Sequence, residues 1–294
     1  MSDPQDQLRS LTPTREFFIG IDSDGCCFDS MEIKHKECFC PATIKYFGLQ
    51  SVSKYAREAW DFVNLYSKQR GVNRFPALIA VLDLLRERKE VQDRGAEIPQ
   101  LPSLRKWISE ETKLGNPALE RRIAHDFDEE LANVLAWSKA VNAAVLDIVY
   151  GVPPFPLVRE SLKKAAERAD MIVVSGTPLE ALEREWEEHD LRQYVQMIAA
   201  QEHGSKKEHL ALAAKGRYPS DRILMIGDAY GDLKAARAND ALFYPVLPGR
   251  EEWSWQRFYD EALDRFFAGT FAGAYQEGLM RELDEALPER APWQ

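Results

Sequence analysis

The chain has 294 residues, of which 45% are hydrophobic and 29% are charged, and its mean hydropathy is −0.41. This composition is typical of a globular protein with a substantial core, and it excludes disordered, collagen-like and membrane-spanning classes. The formal net charge of −10 and the isoelectric point near 5.2 disfavour binding to nucleic acids or to anionic membranes, because such binding needs a basic surface. We therefore expect neither a nucleic acid nor a membrane among its partners.

The first strand is predicted at Phe17–Ile21, and no apolar run precedes it. We accordingly expect no signal peptide or membrane anchor and a cytoplasmic location. All of the cysteines lie close together near the start of the chain, at Cys26, Cys27, Cys38 and Cys40. They are too few and too clustered for a secreted disulfide framework, so we predict reduced thiols. His35, Cys38 and Cys40 suggest a zinc site, but no fourth ligand lies nearby, and buried thiols are the favoured interpretation.

The interval after the first strand carries helical periodicity and no convincing strand. Helical segments are predicted around Tyr55–Tyr66, at Asn73–Leu85 and Leu104–Leu114, and as one long helix over Leu119–Val149. This interval predicts an inserted all-helical cap domain over residues 30–150. A proline-rich stretch, GVPPFP at residues 151–156, is the predicted return hinge.

Four more short apolar runs follow the hinge, and helical patterns alternate with them. The runs span Met171–Val174, Val195–Ala199, Ile223–Ile226 and Ala241–Val246, and the helical patterns span Leu157–Arg168, Leu179–His189, Lys206–Ala214 and Asp232–Ala238. Alternating strands and helices are typical of a parallel sheet covered on both faces. The fold class is therefore α/β, with a Rossmann-like parallel-sheet core over residues 1–29 and 151–252.

The last residues, 253–294, predict a helical extension. Apolar residues recur at helical spacing from Trp255 to Phe267. We expect this stripe to pack on the core rather than to form a dimer interface, and the choice between a monomer and a homodimer stays open.

Pairs of carboxylates follow two of the predicted strands directly. Asp22 and Asp24 come after the first strand, and Asp228 and Asp232 come after the run at Ile223–Ile226. The carboxyl ends of parallel strands meet at one edge of the sheet, where such folds bind ligands. Several converging carboxylates need a cation, and Mg²⁺ prefers oxygen ligands beside a substrate phosphate. We therefore predict Mg²⁺ as the cofactor.

Two other strands bring groups that suit an anion to the same edge. Ser175 and Gly176 follow the second strand and offer a hydroxyl and backbone N–H groups at a helix start. Lys206 and Lys207 follow the third strand, and each offers an ammonium group. Lys206 is favoured because it stands four residues before Leu210 at a helix start, but the alternative is left open.

In chain order, DSDG, VVSGT, SKK and GDAYGD match the four motifs of the haloacid dehalogenase-like hydrolase superfamily. The chain resembles this superfamily over about residues 15–30 and 151–247. The position of the insertion is similar to that of members with a helical cap after the first motif. Members are mostly magnesium-dependent phosphatases.

The resemblance implies a role for each matching residue. Asp22 would be the nucleophile and form an aspartyl phosphate, and Asp24 would be the general acid and base. Ser175 and Gly176 would bind the phosphoryl group, and Lys206 would neutralise its charge. The presence of Asp24 favours phosphoester chemistry, because dehalogenating and phosphonate-cleaving relatives lack this carboxylate.

The resemblance also implies the metal ligands. Asp228 and Asp22 would hold Mg²⁺ with their carboxylates, Asp24 would contribute its backbone carbonyl, and Asp232 would be a ligand or would orient one. The expected function is therefore hydrolysis of a small phosphorylated metabolite. A phosphomutase of the same superfamily and a catalytically idle regulatory or protein-binding module are the alternatives.

Substrate choice is expected to lie in the cap, because none of the core motifs can recognise the organic part of a substrate. Arg70 and Arg74, at a predicted turn between cap helices, are the candidate substrate contacts. An exposed, solvated turn explains the same residues and is the favoured interpretation.

Overall fold

Five parallel strands form a single sheet in the computed structural model, which describes residues 3–294. The strands are β1 (Phe17–Ile21), β2 (Ala169–Val174), β3 (Met197–Ala199), β4 (Ile223–Gly227) and β5 (Leu242–Pro245), in the order β3-β2-β1-β4-β5. Ile21 pairs with Val173 of β2 and with Ile226 of β4, so β1 is central. The predicted α/β class with a parallel sheet is confirmed, and β3 and β5 are shorter than predicted.

The helices make up most of the remaining chain. They are α1 (Gln5–Ser10), α2 (Ser30–Ile33), α3 (Cys40–Tyr46), α4 (Ser53–Leu65), α5 (Arg74–Glu87), α6 (Lys89–Gln92), α7 (Pro102–Glu110), α8 (Asn116–His125), α9 (Glu129–Ile148), α10 (Val158–Ala165), α11 (Leu179–Glu188), α12 (Lys206–Ala213), α13 (Tyr230–Ala238), α14 (Glu251–Arg257), α15 (Leu263–Phe267) and α16 (Ala274–Ala286). Two π-helical segments, Lys34–Phe39 and Phe258–Ala262, and short 3₁₀ turns connect them. Within residues 3–294, no helix is long and apolar enough to span a bilayer.

The chain divides into two compact units. One comprises Met1–Ser30 and Gly151–Leu287, and the other comprises Met31–Tyr150 and Pro288–Gln294. Residues 1 and 2, with which the predicted core begins, lie outside the described residues.

Both faces of the sheet are buried in the first unit. Alternate side chains of β1 enter different clusters, Ile19 and Ile21 on one face and Phe18 on the other. Trp255 and Phe266 of the C-terminal extension are buried in the same cluster as Ile19, so this part of the apolar stripe packs on the sheet. Continuous apolar strands are typical of sheets covered on both sides.

The second unit is entirely helical and has its own core around Trp60 and Trp137. The prediction of a single long helix over Leu119–Val149 is wrong, because the chain forms two helices there, α8 and α9. Asp128 caps α9 by accepting a hydrogen bond from the Leu131 N–H group at 2.9 Å.

The end of the chain departs from the expected extension. Pro288–Gln294 belongs to the helical unit rather than to the sheet unit. Ala291 is buried in the helical core, and the Trp293 ring lies 5.8 Å from the Phe62 ring. Burial of these apolar side chains in the helical core explains why the last residues belong to the helical unit and not to the sheet unit.

Candidate active site

The turn after β1 carries the first pair of carboxylates. Asp22 continues the strand, since its N–H group donates to the Ile226 carbonyl at 3.0 Å. Gly25 has a φ of +73°, a conformation that side chains other than glycine rarely adopt. This glycine lets the backbone reverse immediately after Asp24.

Two hydroxyl groups hold the Asp24 carboxylate. Thr177 Oγ1 donates to Asp24 Oδ2 at 2.7 Å, and Ser30 Oγ donates to Asp24 Oδ1. The Thr177 N–H group also donates to Ser175 Oγ at 3.1 Å, so Asp24 lies beside the loop after β2. The sequence motif contained Thr177 but did not reveal this contact, and nothing in the sequence signalled the role of Ser30.

The loop after β2 brings the predicted phosphate-binding residues to the same edge. The Ser175 N–H group donates to the Ala199 carbonyl at 2.9 Å, and this bond extends the sheet beyond β2. A Cβ atom at Gly176 would meet no atom within 4 Å, so space is open beside this backbone.

The second pair of carboxylates follows β4. Asp232 lies in the first turn of α13, and its Oδ2 accepts a hydrogen bond from the Ala229 N–H group at 3.2 Å. Gly227 makes this close approach possible, because a Cβ atom there would lie 2.4 Å from the Asp232 side chain. Asp228 and Asp232 are both buried.

Lys206, rather than Lys207, lies among these acids. Ser205 caps α12 and places Lys206 in its first turn. The Lys206 Nζ atom lies 2.8 Å from Asp22 Oδ2 and 2.7 Å from Asp232 Oδ1, whereas the Lys207 side chain is exposed.

Three buried carboxylates gather around one point. Asp22, Asp228 and Asp232 each offer an oxygen, and these oxygens lie within 4.8 Å of one another. The Asp24 carboxylate is not part of this group, because it is directed to Ser30 and Thr177.

The charges of this cluster do not balance. Three carboxylates and the single ammonium of Lys206 leave a formal charge of −2. Burial, and the charges of Asp232 and Asp228, raise the pKa of Asp22 well above its usual range, although Lys206 opposes this shift. Burial would lower the pKa of Lys206, but Asp22 and Asp232 outweigh it and raise that pKa.

A divalent cation fits this arrangement. It would cancel the excess charge, and hard carboxylate oxygens are the ligands that Mg²⁺ prefers. Among residues 3–294, this is the only group of at least three His, Cys, Asp or Glu side chains close enough to share an ion. The His35 imidazole instead accepts a hydrogen bond from Trp60 Nε1 at 3.1 Å, and burial raises the pKa of Cys40 to about 12.

The two candidate substrate arginines have partners inside the helical unit. Arg70 is buried, and its Nη1 donates to the Leu65 carbonyl at 2.8 Å. Arg74 Nη1 donates to Ser138 Oγ at 2.9 Å and to Asn142 Oδ1 at 2.7 Å, and burial lowers its pKa to about 10. These guanidinium groups are therefore not part of a solvated turn, and their role in substrate binding stays a prediction.

No family model matches the sequence, and no curated protein matches it. Solved structures similar to the chain include a haloacid dehalogenase-like family hydrolase from Streptococcus pneumoniae, with 12% identity, a TM-score of 0.48, and coverage of 82% of this chain and 90% of that one. A predicted phosphoglycolate phosphatase from Haemophilus somnus has 12% identity and a TM-score of 0.44, with coverage of 79% and 86%. A candidate β-phosphoglucomutase from Bacteroides vulgatus has 15% identity and a TM-score of 0.46, with coverage of 88% and 93%.

These names include the superfamily that the four motifs resemble. At such identities and TM-scores, however, the likeness does not decide the activity of this chain. The chemistry of the site has to decide it.

Proposed function

We propose that the chain is a magnesium-dependent phosphatase that hydrolyses a small phosphorylated metabolite through an aspartyl phosphate on Asp22. The observation that carries this proposal is the cluster of Asp22, Asp228 and Asp232 around one point, with Lys206 bonded to two of them. A bare cluster of acids would repel an anionic phosphate. With a divalent cation and the ammonium group, the same cluster attracts one.

Asp22 is suited to be the nucleophile. Its Oδ1 accepts a hydrogen bond from the Ser23 N–H group at 2.9 Å, while its Oδ2 contacts Lys206, so the carboxylate is fixed. Attack by an Asp22 oxygen on phosphorus expels the alcohol and leaves an acyl phosphate on the protein. A Mg²⁺ ion held by Asp22, Asp228 and Asp232 would supply charge neutralisation for the phosphoryl group.

The other site residues have complementary roles. Asp24, oriented by Ser30 and Thr177, would protonate the leaving alcohol and then take a proton from the water that attacks the acyl phosphate. Lys206, the Ser175 hydroxyl and the backbone beside Gly176 would bind the phosphoryl oxygens.

The setting of the protein is part of the same proposal. The four cysteines are free thiols, which is in keeping with a reducing cytoplasm. The proposed partner is the metabolite, with no nucleic acid and no membrane, and the proposal holds for a monomer and for a homodimer.

The test is release of inorganic phosphate from a panel of phosphorylated metabolites and from p-nitrophenyl phosphate, with Mg²⁺ or with a chelator. Wild-type protein should turn over with Mg²⁺ only, and Asp22→Asn should retain less than about a hundredth of the rate, because an amide is not a nucleophile. Conversion of a sugar phosphate into its isomer without phosphate release would instead identify a phosphomutase. Absence of turnover on every compound would favour an idle binding module.

A further inference from the structure

Two buried tryptophan side chains donate hydrogen bonds to the turn that carries the proposed catalytic acids. Trp186 Nε1 donates to Ser23 Oγ at 2.9 Å, and Trp255 Nε1 donates to the Cys26 carbonyl at 2.7 Å. Both indole rings are fully buried. Ser23 and Cys26 stand on either side of the Asp24–Gly25 pair.

The two donors come from separate parts of the first unit. Trp186 lies on α11, which follows the loop of Ser175. Trp255 lies on α14, in the C-terminal extension that no catalytic motif covers. Each indole therefore connects the turn to a helix that is distant from it along the chain.

The turn itself is organised around Ser23. Its carbonyl accepts hydrogen bonds from the N–H groups of Cys26, Cys27 and Phe28 at 3.2, 2.9 and 3.2 Å. Its hydroxyl accepts from Trp186 and donates to Glu185 Oε2 at 3.1 Å. These bonds hold the Ser23 backbone and side chain in place, so Ser23 fixes the stretch of backbone from which the Asp22 and Asp24 side chains extend.

We propose that Trp186 and Trp255 are positioning residues that fix the catalytic turn. The claim rests on the proposed function for its kinetic part only. Reacting groups displaced by about 1 Å can lose a hundredfold in rate, so fixing the turn matters more for turnover than for substrate binding. Neither tryptophan touches the reacting atoms in this proposal, and both act through Ser23 and Cys26.

The first test compares Trp186→Phe and Trp255→Phe, which keep an aromatic ring and lose the N–H donor. Trp137→Phe is the matched control, because the Trp137 ring is fully buried and its Nε1 donates to Thr43 Oγ1 at 3.1 Å in the helical unit. We expect kcat to fall at least about tenfold in both test variants, equivalent to about 1.4 kcal/mol. KM should change less than about twofold, since uniform binding is unaffected. The control should keep its kcat.

The second test does not depend on activity. Hydrogen exchange of the amides of Cys26, Cys27 and Phe28 should be at least about tenfold faster in both test variants. Loss of the indole hydrogen bond should lower the free energy of opening the turn, and a decrease of about 1.4 kcal/mol corresponds to that factor. The same amides should be unchanged in Trp137→Phe. Ser23→Ala serves as a second variant if Trp186→Phe fails to fold. It removes the acceptor of Trp186 and keeps both indoles, and it should give the same increase in exchange rate.

The outcomes separate the two proposals. If the wild type releases no phosphate but the exchange rates rise as expected, the proposed function is wrong and the turn is still fixed by the tryptophans. Unchanged exchange at these amides, or an equal kcat loss in Trp137→Phe, would overturn the positioning role.

Discussion

Binding of Mg²⁺ without substrate should stabilise the protein by an amount that depends on the ratio of the Mg²⁺ concentration to its Kd. The cluster of Asp22, Asp228 and Asp232 carries a formal charge of −2 after Lys206 is counted, and it forms only in the folded chain. A ligand that binds only the folded state at a hundred times its Kd stabilises it by about 2.7 kcal/mol. In a unit of the size of Met1–Ser30 with Gly151–Leu287, each kcal/mol of stabilisation raises Tm by about 2–4 °C. The expected rise in Tm is therefore about 5–10 °C.

The assay is thermal unfolding in a titration of MgCl₂ at constant ionic strength. Asp228→Asn should lose most of the rise in Tm, and Asp232→Asn should lose less of it. Asp240→Asn is the matched control, because Asp240 is exposed and its φ of +57° is tolerated by asparagine. An equal rise in wild type and Asp228→Asn, or no rise in the wild type at any concentration, would refute the metal site.

Three further outcomes are expected. Lys206→Met should lower kcat/KM for phosphate release at least about a hundredfold, since the phosphoryl group loses its neutralising charge, and a smaller loss would contradict its role. Burial lowers the pKa of the His209 imidazole to about 4 in the folded protein, whereas it is about 6.5 in the unfolded chain. The contribution of the neutral imidazole to the free energy of unfolding is therefore complete above pH 6.5 and is lost as the pH falls towards 4. Urea unfolding should show the wild type losing about 2 kcal/mol more than His209→Leu between pH 7.5 and 5, and parallel losses would contradict this. If Arg70 and Arg74 contact the substrate, replacing both with alanine should lower kcat/KM for a metabolite substrate at least about tenfold and leave p-nitrophenyl phosphate hydrolysis unchanged. Equal losses on both substrates would show that these buried, hydrogen-bonded arginines only stabilise the helical unit.

The sheet, and the candidate site at the carboxyl ends of its strands, could be predicted from the sequence because both depend on local patterns. Apolar runs such as Phe17–Ile21 are buried on both faces, which leaves little other choice than a central parallel strand. Parallel strands then bring the residues after their carboxyl ends together. The proximity of Asp22 to Asp228 and Asp232 follows from that geometry.

Other features depend on contacts between residues far apart in the chain. The hydroxyl of Thr177 reaches Asp24 across 153 positions, and the indole of Trp255 reaches Cys26 across 229. No spacing rule reports such a contact. The choice of Lys206 over Lys207 depends on the residue at which α12 begins. Helix starts are predicted from sequence only to within one or two residues, and a shift of one residue would favour Lys207 instead.

The helical unit shows the same limit. Helical periodicity continues through Asp128, so the apolar pattern does not show the break before α9, although aspartate is an ordinary helix cap. Burial of Arg70 could not be read from a stretch of polar residues, because the Leu65 carbonyl that binds it is supplied by the end of α4.

A phosphoryl group on Asp22 would be the most direct sign of the proposed chemistry. Protein mixed with a turning-over substrate and Mg²⁺, then quenched in acid within one turnover, can be digested and its peptides analysed by mass. We expect the peptide containing Asp22 to carry one phosphoryl group that hydroxylamine removes, and Asp22→Asn to carry none. Phosphate release without any acyl phosphate on this peptide, or the same label in Asp22→Asn, would contradict covalent catalysis by Asp22.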